Sequence, residues 1–403
     1  MRGRLAAAFP WPLGATVFLV QVALGMVIFP GFQEYVPTYL RTNDAWPGYL
    51  LGAYGSARFL SETPTGALTD RVERKLGLLI GFACMAPAMA VMAAVDEPAA
   101  FLACAALLGL ATAFLWPATY AIAADLYPPE RRGRVVGFLN FAQLAGFGVG
   151  ALGGAFLLMA EPRALFFAAA IAVLAAFLAA LSRVPAYRHG RLLALAPSVS
   201  GPGLRELASP QLAVVASLIF TGTAALGTAV PAIRPYGQHQ LGVSFETLTL
   251  ALIPAIVVGA FAYVPAGHLA DRLERWQPLV AGQCLAAAGL LALGPLTDLS
   301  AASAVAVAIF LGNVLSVPAW NASMMDLAPP SHRGALIGLA VALSGLGLSV
   351  GPVLGGLAAE TMGPTDAFRV AAALSLLTAA GAAAYGLWLA PRVRPAIARA
   401  DRA

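Results

Sequence analysis

Charge is scarce in this chain. Only 11% of its 403 residues are Asp, Glu, Lys or Arg, against 60% hydrophobic, and the mean hydropathy is +0.80. So little polar surface cannot cover a soluble globule of this length, so the chain reads as an integral membrane protein. Cysteine is rare too. Cys84, Cys104 and Cys284 all lie inside apolar runs without metal-ligand spacing, so neither a disulfide nor a metal site is expected. The histidines, His189, His239, His268 and His332, are each isolated in a loop or at the end of an apolar run. They offer no ligand set or catalytic constellation, which leaves a lipid-modifying membrane enzyme as a distant alternative. No glycine loop closed by lysine is present to cradle phosphate; an ATP-driven pump is disfavoured and no cofactor is expected. No short cleavable leader is expected, because the first apolar run, 11–39, reads as a retained first span.

What the chain does have is long apolar runs. Its polar punctuation leaves about twelve, each near or above the ~20 residues that cross hydrocarbon. They cover 11–39, 46–68, 76–94, 99–125, 134–159, 164–183, 210–236, 245–268, 277–296, 301–326, 335–360 and 367–390. With both termini in the cytoplasm, 19 of the 24 Lys and Arg fall on the inner side, and only Arg41, Arg58, Arg163, Arg234 and Arg369 do not. The positive-inside rule therefore sets the orientation, and the net charge of +5 reports topology rather than a nucleic-acid partner. The expected location is the inner, cytoplasmic membrane. The one long polar interval suggests an organisation of 1–183, a cytoplasmic linker 184–209, and 210–403.

The two halves repeat each other at an offset of 201 residues. Pro64, Gly66, Leu68, Asp70, Arg71, Glu73 and Arg74 recur as Pro265, Gly267, Leu269, Asp271, Arg272, Glu274 and Arg275. Asp125, Arg132, Gly133, Gly146, Gly150 and Gly154 recur as Asp326, Arg333, Gly334, Gly347, Gly351 and Gly355. Small residues one turn apart let helix backbones approach closely in lipid, so these glycines mark packing faces, and Pro352 adds a possible kink. A membrane unit written twice suggests one half moving against the other, which means transport.

The stretch Gly66-Ala67-Leu68-Thr69-Asp70-Arg71-Val72-Glu73-Arg74-Lys75 matches the Gly-x-Leu-x-Asp-Arg-x-Gly-Arg-Lys pattern of the major facilitator superfamily, with Glu73 in place of a glycine. Its echo carries the same exception at Glu274. Gly347 to Gly356 fits the antiporter motif Gly-x-x-x-Gly-Pro-x-x-Gly-Gly, whereas Ala151 replaces the proline in the first half. The chain thus resembles a transporter of that superfamily, in the style of bacterial drug-proton antiporters. The resemblance implies an all-α membrane protein with twelve transmembrane helices in two pseudo-symmetric six-helix bundles, working by alternating access and not as an enzyme. One departure is that 108–121 lacks the embedded arginine usual in drug antiporters; Trp116 and Pro117 stand there instead.

Two groups of candidate residues follow. The loop residues Gly66, Asp70, Arg71, Arg74, Asp125, Asp271, Arg272 and Asp326 form a candidate cytoplasmic gate. Gly66 would let the second helix lie against a neighbour, Asp70 would accept from amides at a helix N-terminus, and the arginines would face Asp125. The latch role comes from the resemblance; anchoring in charged headgroups is the alternative. The second group lies within hydrocarbon, where a charge costs about 2.5–3.5 kcal/mol. Arg58 and Glu62 fall on one helical stripe with Tyr54 and Gly66, about 18 Å above Asp70 at ~1.5 Å per residue. Arg58 is expected to meet an anionic or zwitterionic substrate and Glu62 to carry the exchangeable proton, against the alternative that the two only neutralise each other. Glu34 is the second candidate for proton coupling. Trp116, Tyr120, Arg234, Tyr263 and Asn313 complete the substrate candidates. Gln33 and Arg234 occupy equivalent repeat positions in the outer third, as an outer gate or as chains that reach the surface. The leading function is proton-coupled efflux of a small organic molecule; uptake or exchange of a small organic anion is the near alternative. Protons, a small molecule and the lipid bilayer are the expected partners, and a complete two-half unit suggests a monomer.

Overall fold

Runs of this length and apolarity become helices because, in hydrocarbon, a helix is the one open form whose backbone satisfies itself. The protein's structure, a computed structural model, describes residues 10–71, 73–127, 129–184, 210–327 and 333–389. Helix α1 spans Trp11–Tyr39. It is followed by α2 (Trp46–Arg71), α3 (Arg74–Ala94), α4 (Pro98–Leu126), α5 (Pro129–Ala160) and α6 (Ala164–Arg183). In the second half α7 (Pro210–Ala229) and the short α8 (Ile233–His239) make one crossing, and α9 (Phe245–Ala251) and α10 (Ile253–Arg272) make the next. Then come α11 (Trp276–Leu293), α12 (Leu299–Leu327), α13 (Arg333–Met362) and α14 (Pro364–Ala384). No strand occurs among the described residues.

Eleven of these crossings are long and apolar enough to span a bilayer. The twelfth is α2, whose 26 residues are ample in length. Polarity sets it apart, since Arg58, Glu62, Ser56, Ser61 and Thr65 all fall within it. The protein is therefore a multi-pass, all-helical membrane protein with the expected twelve crossings.

Several crossings leave regular α geometry, the last of them ending in a π segment at Tyr385–Leu389. In α1 the segment Val27–Tyr35 is a π-helix, and Pro30 within it has no N–H to give to an α ladder. The crossing after α7 breaks at Ala229 and resumes at Ile233, around Pro231. The chain divides into two compact units, Met1–Ala196 with Ser244–Leu250, and Pro197–Val243 with Ala251–Ala403. The expected 184–209 linker lies outside the described residues apart from Val184. Residues 244–250, which fall with the first unit, carry the separate two-turn helix α9, interrupted from α10 at Leu252.

Within each unit the repeat glycines do what their spacing promised. A Cβ at Gly146 would lie 2.5 Å from the Phe18 carbonyl oxygen, at Gly150 2.0 Å from that of Val22, and at Gly154 3.0 Å from the Cα of Met26. Helix α5 thus rests directly on the α1 backbone. Helix α13 rests on α7 in the same way, with Gly351 2.3 Å from the Ala224 oxygen and Gly355 2.0 Å from that of Thr228. Pro352 packs over Gly227 at this contact. No side chain larger than hydrogen fits at these positions. Each unit also closes on an aromatic knot. Tyr35 meets Phe166 edge-on at 4.9 Å and stacks with Phe101 at 5.8 Å, and Tyr236 meets Phe368 edge-on at 5.3 Å.

Candidate functional site

Helix α2 carries the polar centre of the first unit. Arg58 and Glu62 stand one turn apart with Arg58 Nη2 3.7 Å from Glu62 Oε1, and their side chains keep 28% and 18% of their exposure. That separation is an ion pair without the geometry of a short hydrogen bond. Arg58 Nε is buried with no partner. The guanidinium therefore has donors left over, and a forked anion could use them.

The elements around this pair hold α2 firmly against α4. Gly109 lets the two backbones touch: a Cβ there would lie 2.1 Å from the Tyr54 carbonyl oxygen and 3.1 Å from the Arg58 nitrogen. Further along, Thr65 Oγ1 donates to the Ala113 carbonyl across the same contact at 2.8 Å. Tyr54 itself is half-buried. On α4 the Trp116 and Tyr120 rings stack at 5.9 Å, and the Tyr120 hydroxyl donates to Asn140 Oδ1 on α5 at 2.9 Å. Trp116 is 5% exposed and Tyr120 36%. The structure thus brings Tyr54, Arg58 and Glu62 onto one helix, packed on the helix that carries Trp116 and Tyr120.

Other expected site residues lie elsewhere. Glu34, in the π segment of α1, is buried and accepts from Thr38 Oγ1 at 2.8 Å. Arg234, on α8, is 9% exposed, so it does not extend to the surface; the departure of the chain from α geometry around Pro231 carries it inward. Tyr263 is 45% exposed. Asn313 spends its amide on its own helix, donating to the Ile309 carbonyl at 3.0 Å.

Much of the expected gate falls outside the described side chains, namely Asp70, Arg71, Asp125, Asp271 and Asp326. Of the rest, Arg74 Nη1 donates to the Ala121 carbonyl near the end of α4 at 2.8 Å, the terminus where a cation meets the favourable end of the helix dipole. Its repeat mate Arg275 turns instead to the Ala270 carbonyl. Arg272 is exposed. Gly66 is not a close-approach position among the described residues, because a Cβ there would meet nothing within 4 Å, and the same holds at Gly267.

Three features escaped the sequence reading. The Gly109 contact is visible only once its repeat mate, Phe310, is set beside it. The tie from Tyr120 to Asn140 joins two helices and carries no spacing signal. The unpaired amide of Gln33 belongs to the π segment, for which Pro30 was the one available sign.

No group of three or more His, Cys, Asp or Glu able to hold a metal occurs among the described residues. The sequence profile of the Major Facilitator Superfamily matches residues 13–339 and 260–402. Multidrug resistance protein 2 of Bacillus subtilis (strain 168) is 24% identical over 358 residues, covering 85% of this chain and 86% of its own. Multidrug resistance protein MdtH of Yersinia pestis (strain Pestoides F) is 30% identical over 293 residues, 72% of this chain and 71% of its own. A solved bacterial homolog to the human lysosomal transporter Spinster superposes with a TM-score of 0.76 at 14% identity, covering 94% of this chain and 96% of that one; the likeness is one of fold.

Proposed function

Because the chain belongs to the Major Facilitator Superfamily, and so is a membrane transporter and not an enzyme, we propose that it exports a small organic molecule across the cytoplasmic membrane by alternating access, coupled to protons through Glu62. In this reading both termini are cytoplasmic and one chain forms a complete pathway. Arg58 receives an anionic group of the substrate, Glu62 exchanges the proton, and Trp116 and Tyr120 provide an aromatic surface. Glu34 is the second candidate for the proton. The loop residues around Asp70 and Arg74, with Asp125, Asp271, Arg272 and Asp326, serve as the inner gate. The names of the two multidrug resistance relatives support efflux.

The observation that carries the proposal is the charged pair on α2, kept where the second half manages without one. At the repeat positions stand Gly259 and Tyr263. The same helix contact is made there by apolar packing, so the fold itself does not require the pair, and charges retained in hydrocarbon against their cost point to a working role.

The test is proton release from purified protein in detergent on adding a panel of lipophilic cations, zwitterions and carboxylates. Release on binding, lost in Glu62→Gln but kept in Glu34→Gln, supports the proposal. The unpartnered Nε of Arg58 favours one second reading, anion uptake or exchange. Carboxylate binding that depends on Arg58 without any proton release would select it and reduce Glu62 to a structural partner.

A further inference from the structure

The side-chain amide of Gln33 has neither of its hydrogen-bonding atoms engaged. The residue is 1% exposed, and both Nε2 and Oε1 are buried without a partner. A buried polar group left in that state costs about 1–3 kcal/mol, and native proteins leave few of them without a reason. Gln283, equally buried, is served at one of its two atoms, donating through Nε2 to Ser316 Oγ at 3.0 Å while its Oε1 is unmet, and the Tyr236 hydroxyl reaches the Leu293 carbonyl at 2.9 Å; Gln33 is unmet at both of its atoms.

The backbone around Gln33 is equally unusual. It lies near the end of the nine-residue π segment Val27–Tyr35. Such segments interrupt α-helices mostly where function calls for them. The second half repeats the arrangement in its own way. Arg234, at the offset of 201 residues, is also buried and also sits where the first helix of its half leaves α geometry. Each half therefore buries a long hydrogen-bonding side chain at a distorted point of its first crossing.

We propose that Gln33 is a recognition point for a neutral group of the transported molecule that presents an acceptor and a donor side by side, as a carboxamide does. The amide nitrogen donates to the ligand's acceptor while Oε1 accepts from its donor, forming a cyclic pair. This goes beyond the Arg58 and Glu62 reading, since it concerns another helix and uncharged chemistry. The π segment provides the movement that access requires. Returning one turn of it to α geometry rotates Gln33 by roughly 100° about the helix axis and takes the amide out of its present packing.

Binding of benzamide, benzoate and toluene to the purified full-length protein, followed by thermal denaturation and titration, tests this. Wild type is expected to bind benzamide at least about tenfold more tightly than toluene, and Gln33→Met to lose that preference while toluene binding stays put. Without ligand, Gln33→Met and Gln33→Leu are expected to melt at or above the wild-type temperature, since each removes an unmet amide. Equal binding of benzamide and toluene by wild type overturns the proposal, as does a preference that survives in Gln33→Met. So does a fall of several degrees in both ligand-free variants, which would mean that internal water already satisfies the amide. Proton release is recorded in the same titrations, so that absent release with an intact benzamide preference fails the Glu62 reading alone, and intact release without the preference fails this proposal alone.

Discussion

The two halves solve one packing problem with opposite volumes. In the first, the large residue is Arg58 on α2 and the small one is Gly109 on α4. In the second, Gly259 on α10 is small and Phe310 on α12 is large, its ring carbon Cδ1 2.2 Å from where a Gly259 Cβ would be. The positions correspond at the 201 offset. One contact is filled by a half-buried ring, and in the other Gly109 meets the α2 backbone at Tyr54 and Arg58 directly. Duplication thus supplies an internal control: the second half shows what the architecture needs, and whatever the first half adds is available for chemistry. The same contrast recurs at the aromatic knot. The Tyr236 hydroxyl is tied to main-chain carbonyls of Leu293 and Leu296, whereas Tyr35 lies in the field of the Asp96–Arg163 ion pair. Asp96 also holds the Arg163 guanidinium above its ordinary value.

The largest effects are expected where the halves agree. Gly150→Val and Gly355→Val each force a side chain onto a carbonyl of the partner helix, and each should cost about 3 kcal/mol or more, seen as lost monodisperse protein or a collapsed melting temperature. If only one half proves sensitive, the two glycine faces are not equivalent supports.

Next comes an exchange between the halves. Gly109→Phe alone should not fold, because its ring would meet the α2 backbone. Arg58→Gly does not relieve that clash, which is with the Tyr54 carbonyl; made alone, it gives α2 the residue of the second half and should melt within a few degrees of wild type while transport falls roughly a hundredfold. An Arg58→Gly variant that transports normally would strip Arg58 of its role.

A smaller change is expected from Tyr120→Phe, which removes the hydroxyl from Asn140 at a position where the second half has Asn321 and Val341. Its melting temperature should drop by an amount matching about 1 kcal/mol, and Asn140→Ala should add little once Tyr120 is Phe.

The smallest concerns the start of α12. Asp298 caps that helix, accepting from the Ser300 hydroxyl and from the Ala301 amide at 2.8 Å, and these bonds pull its carboxyl below the ordinary 3.8. Its repeat mate Glu97 gives α4 no side-chain cap. A depressed value means that the stabilisation is present above about pH 4 and fades as pH falls through the folded value. Asp298→Asn should lower the melting temperature slightly at neutral pH, and the difference from wild type should shrink in acid. Glu97→Gln, which removes no cap, should leave the melting temperature at neutral pH unchanged.

Much of the architecture was legible because lipid leaves few choices. Apolar length specifies the crossings, and the repeat at 201 residues located the glycine faces before any contact was known. The stripe of Tyr54, Arg58 and Glu62 followed from helical spacing alone. What surrounds that stripe did not. Gly109 opposes α2 through a tertiary approach that no periodicity announces, and Gly66, which had the look of a contact glycine, faces open space among the described residues. For Arg234 the sequence left open an outer gate and a chain that reaches the surface; its burial beside the break around Pro231 removes the second. Local pattern reports which residues share a face; it does not report what another helix brings to that face.

The polarity of α2 also bears on how the protein is made. During synthesis a segment partitions from the translocation channel into lipid according to its own apolarity, and a central Arg or Glu weighs against that step. The helix carrying the charged pair is thus the span least able to enter the bilayer alone. Its Thr65 and backbone find their partners on α4, which the ribosome has yet to deliver when α2 emerges. Stable insertion of the second span therefore waits for the fourth, and the residues proposed to serve transport also dictate an order of assembly in the growing chain.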